Sequence, residues 1–168
     1  MLRCAMKTAR WSLLLLTAAL IVAKAQIANP ELSVKAFSGN SLRLGAADFA
    51  KLPAATANAT DHDGKKHLYS GVNLRDLLDQ VGAPKADAIR SGEMTDYVIA
   101  EATDGYRVVF SLAELDPQFG NTAVLVANEI DGHPLPEHDG PLRLVVPGDK
   151  RQARWVRMLR SLILMRAQ

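Results

Sequence analysis

Two Asp-Gly dipeptides, Asp104-Gly105 and Asp131-Gly132, do most to limit what this chain can fold into. Each follows a run rich in β-branched and apolar residues, and Asp-Gly takes the left-handed dihedrals of a tight hairpin turn at little cost. The first predicts strands over 97–103 and 106–111, and the second predicts a strand over 123–130 that doubles back at once. Leu32-Ser-Val-Lys-Ala-Phe37 and Ser41-Leu-Arg-Leu44 alternate apolar and polar positions around a Ser38-Gly-Asn40 turn, the pattern of another hairpin. Residues 55–60 read as a strand ending in an Asp61–Lys65 turn, and 142–146 as the last core strand before Pro147-Gly148.

The helices are short. Ala46–Leu52 is stopped by Pro53. Asn73 can cap a helix whose Leu74, Leu77, Leu78 and Val81 fall on one face, and Gly82 can end it in the left-handed conformation. Ser111-Leu-Ala-Glu114 has the spacing of a capping box. Strands outnumber helices, no internal repeat or low-complexity tract interrupts them, and a single mixed α+β domain, rich in β-structure, is the expected class.

The first 25 residues carry Arg3, Lys7 and Arg10, then the apolar run Trp11–Val22, then Ala23-Lys24-Ala25. A basic region, an apolar region and an Ala-x-Ala site in that order predict a secretory signal peptide over 1–25, with the domain occupying 26–168. The apolar run is short of the roughly 20 residues a bilayer span requires, so no stable membrane insertion is expected after cleavage. Paired arginines are absent, which predicts export of an unfolded and cofactor-free chain to the periplasm or beyond. The formal charge of +2 belongs to the precursor, because the segment removed holds four cations and none of the 18 acidic residues. The remaining chain is acidic on balance, and no nucleic-acid partner is expected.

Cys4 is the only cysteine, so the mature domain has neither disulfide nor thiol chemistry. His62, His67, His133 and His138 match no zinc spacing, Asp61-His-Asp-Gly64 lacks the later ligands of a calcium loop, and Ser70 and Ser111 have no nucleophile elbow. Phosphate-binding glycine patterns are missing as well. Tyr69, Tyr97, Tyr106 and Trp155 can line a pocket or cover the rim of the core. Lys150, Arg151, Arg154 and Arg157 place four cations within eight residues after a glycine turn, either a site for a phosphate or carboxylate or a solvated, ion-paired face.

Three segments in order, Tyr69-Ser-Gly-Val-Asn-Leu-Arg-Asp-Leu-Leu78, Thr103–Asp116 and Gly140–Leu159, make the chain resemble the sulfite-oxidase-like oxidoreductase molybdopterin-binding domain family over roughly residues 32–166. The resemblance implies the sulfite-oxidase-type fold and molybdopterin as a possible cofactor, with Lys150, Arg151, Arg154 and Arg157 where that family meets the pterin's terminal phosphate. It also implies a molybdenum-binding cysteine on the strand that here reads Ala55-Thr-Ala-Asn-Ala-Thr60, where none is present. A thiolate lost from that position leaves molybdenum without its soft protein ligand. The expected function is therefore a secreted, cofactor-free and non-catalytic module that binds or senses a small anionic ligand or a periplasmic partner protein. The alternative is a molybdopterin-dependent oxidoreductase with a non-cysteine metal environment.

Overall fold

The computed structural model describes residues 31–167, and the expected signal segment with Cys4 lies outside the described residues. In chain order the elements are β1 (Leu32–Ala36), β2 (Ser41–Leu44), α1 (Ala46–Phe49), β3 (Ala55–Thr60), β4 (Lys66–Asn73) and α2 (Leu74–Gln80). They continue with β5 (Asp96–Ala102), β6 (Arg107–Ser111), α3 (Leu112–Leu115), β7 (Leu125–Ile130), β8 (His133–Pro134), β9 (Arg143–Val145) and β10 (Leu159–Arg166), with 3-10 turns between several of them.

Two sheets result, the first mixed and the second antiparallel throughout. The first has the order β2-β1-β10-β5-β6, and the second β3-β4-β7-β8, with β9 beside β7 on the edge that β8 also uses. Period-2 patterning explains the first sheet: Val98, Ala100, Phe110, Leu162 and Leu164 are buried while Val109 on the opposite face is exposed. Buried residues of both sheets and of α2 join one core cluster. At about 1.5–3 kcal/mol for each large aliphatic side chain fully withdrawn from water, this core is the dominant stabilising term of a domain without disulfides.

Both hairpins form, with Asp131 and Gly132 both left-handed but only Gly105, at φ 87°, left-handed in the Asp104-Gly105 turn. The capping box is present in full, with Ser111 and Glu114 serving each other's backbone. Gly82 ends α2 at φ 78°, although Asn73, at the N-cap position, makes no side-chain cap bond. Two strands differ from the sequence expectation. β4 extends back to Lys66 from the motif that starts the helix, and Gly71 within it lies against β7 so closely that a Cβ there would collide with the Val126 carbonyl. Residues 142–146 do not supply the last core strand: β10 follows, pairing in parallel with β1 and antiparallel with β5 at the centre of the first sheet.

Candidate functional site

β3 ends at Thr60, and the chain turns immediately through Asp61 and His62. β9 begins at Arg143, beside Ala127 of β7, and this register brings Arg143 back to Asp61 across 82 residues of sequence. The guanidinium forks onto the Asp61 carboxylate, donating from Nη1 to Oδ2 at 2.8 Å and from Nη2 to Oδ1 at 2.9 Å. Nη1 also donates to Asp139 Oδ2 at 2.9 Å. Arg143 is 1% exposed, and its Nε has no hydrogen-bond partner.

Aromatic rings close the rest of this cluster. The guanidinium carbon lies 5.7 Å from the Tyr69 ring centroid and 5.1 Å from that of Trp155, and the two rings meet edge to face. Tyr69, in β4, donates its hydroxyl to Asp61 Oδ2 at 2.6 Å, while Trp155 Nε1 donates to the Val146 carbonyl at 3.0 Å. Burial pushes the Asp61 carboxyl upward, but hydrogen bonds from Arg143 and Tyr69 outweigh it and hold the group well below the usual carboxylate range. Burial, and then the bond to Asp61, push the Tyr69 phenol well above its ordinary value. The cluster is therefore an ionised carboxylate–guanidinium network with a neutral phenol, fixed over the ordinary pH range.

Beside it, and sharing Trp155 with it, opens a cleft of about 280 Å³ lined by His62, Asp104, Tyr106, Gln152 and Arg157, among others. Its walls are tied together. Tyr106 donates its hydroxyl to the Ala153 carbonyl at 2.6 Å, and Gln152 Nε2 donates to the Thr60 carbonyl at 2.8 Å. Met158, held at φ 47°, donates its N–H to Asp139 O and accepts from Thr103 N–H. Of the four aromatic side chains considered from sequence, Tyr106 and Trp155 line the cleft, and Tyr69 lies buried against Trp155. Tyr97 sits on β5, paired with Met165 and Ser111.

The four loop cations have different environments. Arg154 forks onto Asp149, with Nε donating to Oδ2 at 2.9 Å and Nη2 to Oδ1 at 2.8 Å, reaches Glu114 at 3.4 Å, and lies 4.7 Å over the Phe110 ring. The Asp149 hydrogen bond raises its pKa further. Arg157 lines the cleft with a side chain 56% exposed, and its nearest carboxylate oxygen, of Asp139, is 3.9 Å away. Lys150 and Arg151 are exposed on the same loop. The structure thus brings one of the four, Arg157, to the cleft wall and commits another, Arg154, to internal carboxylates. The sequence does not single out Asp61, Asp139 or Arg143 as a cluster; an arginine between Leu142 and Leu144 at a strand start is the available signal.

The profile of the family described as an oxidoreductase molybdopterin binding domain matches residues 19–168. Among solved structures the chain is similar to the sulfane dehydrogenase SoxCD of Paracoccus pantotrophus, with a TM-score of 0.62 and 21% identity. That similarity covers 80% of this chain but 37% of the SoxCD chain, and it is a likeness of fold. No curated protein sequence matches. The donor set tests the fit to the family's cofactor: residues 31–167 contain no cysteine, and among the described residues no three His, Cys, Asp or Glu side chains group to hold a metal. The residues present do not fit a molybdenum centre held by protein sulfur. By the extent of the profile match and the shared fold, the chain belongs to the oxidoreductase molybdopterin-binding domain family.

Proposed function

We propose that this chain is an exported, non-redox member of the family that binds a small anionic ligand in the cleft beside the Arg143 cluster. The observation that carries this reading is the cleft wall itself: Arg157 projects there, largely solvated and only loosely approached by Asp139, and residues 31–167 hold no cysteine. Lys150 and Arg151 add exposed positive charge on the same loop, and Arg154 holds that loop in place through Asp149 and Glu114. A guanidinium with its donors available is suited to a phosphate or carboxylate group. The cleft's volume, near the small end of the range for ligand pockets, suits a compact ligand rather than an extended one.

Two measurements test this. Protein purified from its native host, grown with ample molybdenum, should contain neither molybdenum nor oxidised pterin; stoichiometric amounts of both would establish the oxidoreductase alternative. Calorimetric titration with inorganic phosphate and with sulfate should show binding that weakens about tenfold or more in Arg157→Ala, the loss expected for one charge-assisted contact of about 1.4 kcal/mol or more.

A further inference from the structure

Four strand edges close the two sheets, and three of them are guarded against pairing with another chain. β2 carries Arg43 and β6 carries Arg107. The edge formed by β8 and β9 has Pro134 with Pro136 and Pro141 between the strands, and Val156 already accepts a hydrogen bond from Leu144 there. Charged residues, prolines and covering segments are the usual protections of an exposed edge. β3, Ala-Thr-Ala-Asn-Ala-Thr, has no charge and no proline, and it pairs only with β4 among the described strands.

The direction of its free groups follows from the turn that ends it. Asp61 N–H donates to Lys65 O, so Asp61 faces β4, and by alternation Ala59, Ala57 and Ala55 do too. Thr56, Asn58 and Thr60 therefore turn their backbone groups outward, as the Gln152 bond to the Thr60 carbonyl shows directly. Their side chains are exposed on one face, whereas Ala55 and Ala57 pack against the core cluster on the other.

We infer that β3 is a self-pairing edge, joining a second copy of the chain in antiparallel fashion about a twofold axis through Ala57. Outward groups can bond only to outward groups, which restricts the register to pairings among Thr56, Asn58 and Thr60. Placing Asn58 opposite itself would set Thr56 against Thr60 and compete with Gln152 for the Thr60 carbonyl. Setting Thr56 opposite Asn58 leaves that bond intact and forms two complete hydrogen-bonded pairs. Ala57 then faces Ala57 at the close, non-hydrogen-bonded position, where a small side chain is suited. The strand is only six residues long. Its contact falls short of the roughly 1,200 Å² of a stable interface, so the dimer is weak and concentration-dependent.

The test uses the chain with Cys4→Ser, so that an introduced cysteine is the only thiol. Sedimentation of the parent should show dimer at about 0.5 mM and monomer at about 5 µM, with Asn58→Lys monomeric at both. Under mild oxidation Ala57→Cys should link into a covalent dimer about tenfold faster than Asn58→Cys, because only position 57 faces itself within disulfide reach. A parent that stays monomeric at the higher concentration, or an Ala57→Cys chain that links no faster than Asn58→Cys, overturns the inference. The crosslinking comparison needs no ligand and is independent of the anion-binding reading.

Discussion

Arg143 and Arg157 share a carboxylate, Asp139, yet their side chains are 1% and 56% exposed respectively. The first is held by two carboxylates and two aromatic rings and has no freedom to meet a ligand. The second meets the same Asp139 at a distance that leaves its donors available. A buried ion cannot be left unpaired without a large desolvation penalty, whereas an exposed one can exchange its partner for water or a ligand at small cost. The buried cluster beside the cleft is therefore a structural device, and Arg157 at the cleft's rim is the group on which the proposed anion binding rests.

The largest effect should come from breaking the buried cluster. Asp61→Ala leaves a guanidinium buried with one carboxylate instead of two, and stability should fall by about 3–5 kcal/mol, measured as a shift in urea unfolding. A fall no larger than that of an exposed ion pair would show that the cluster relaxes to water and is not fixed. Acid sharpens the same point. Because the folded state lowers the Asp61 pKa, its contribution is fully present above the unfolded carboxylate value of about 3.9 and is lost as pH falls below it. The unfolding midpoint should decline below about pH 4, and Asp61→Asn, which cannot take up that proton, should decline less steeply. Tyr69→Phe removes the hydroxyl bonded to Asp61 but keeps the ring beside Arg143 and Trp155, so its cost should be smaller, about 1.5 kcal/mol.

The contrast also explains what could be read from the sequence. The β5–β6 hairpin and α3 were legible because Asp104-Gly105 and the Ser111–Glu114 box encode their geometry within a few residues. β10 was not, since its apolar residues run together over Leu162–Met165 and an irregularity between Leu159 and Ser161 breaks the alternation. The rim was legible as a run of cations, but which of them is free depends on Glu114, 40 residues from Arg154, and on Asp149 just before the 3-10 turn. The buried cluster was the least legible, because Asp61 and Arg143 become partners only through the β3–β4–β7–β9 order of the second sheet.

The smallest stability changes carry the most direct functional reading. Arg154→Ala removes a half-buried pair with Asp149 and a weaker approach to Glu114, and about 0.5–1 kcal/mol is the scale for such contacts once solvent screening is counted. Arg157→Ala removes an exposed side chain with no close partner and should change stability by no more than about 0.5 kcal/mol. Phosphate or sulfate affinity should rank the two in the opposite order, with the larger loss at Arg157, because its donors face the cleft while those of Arg154 are occupied. Equal losses at both positions would mean that the loop's position, rather than a contact from Arg157, governs binding. A conservative Arg157→Lys separates those cases: it keeps the charge but not the planar fork, so partial recovery of affinity identifies a direct contact at that side chain.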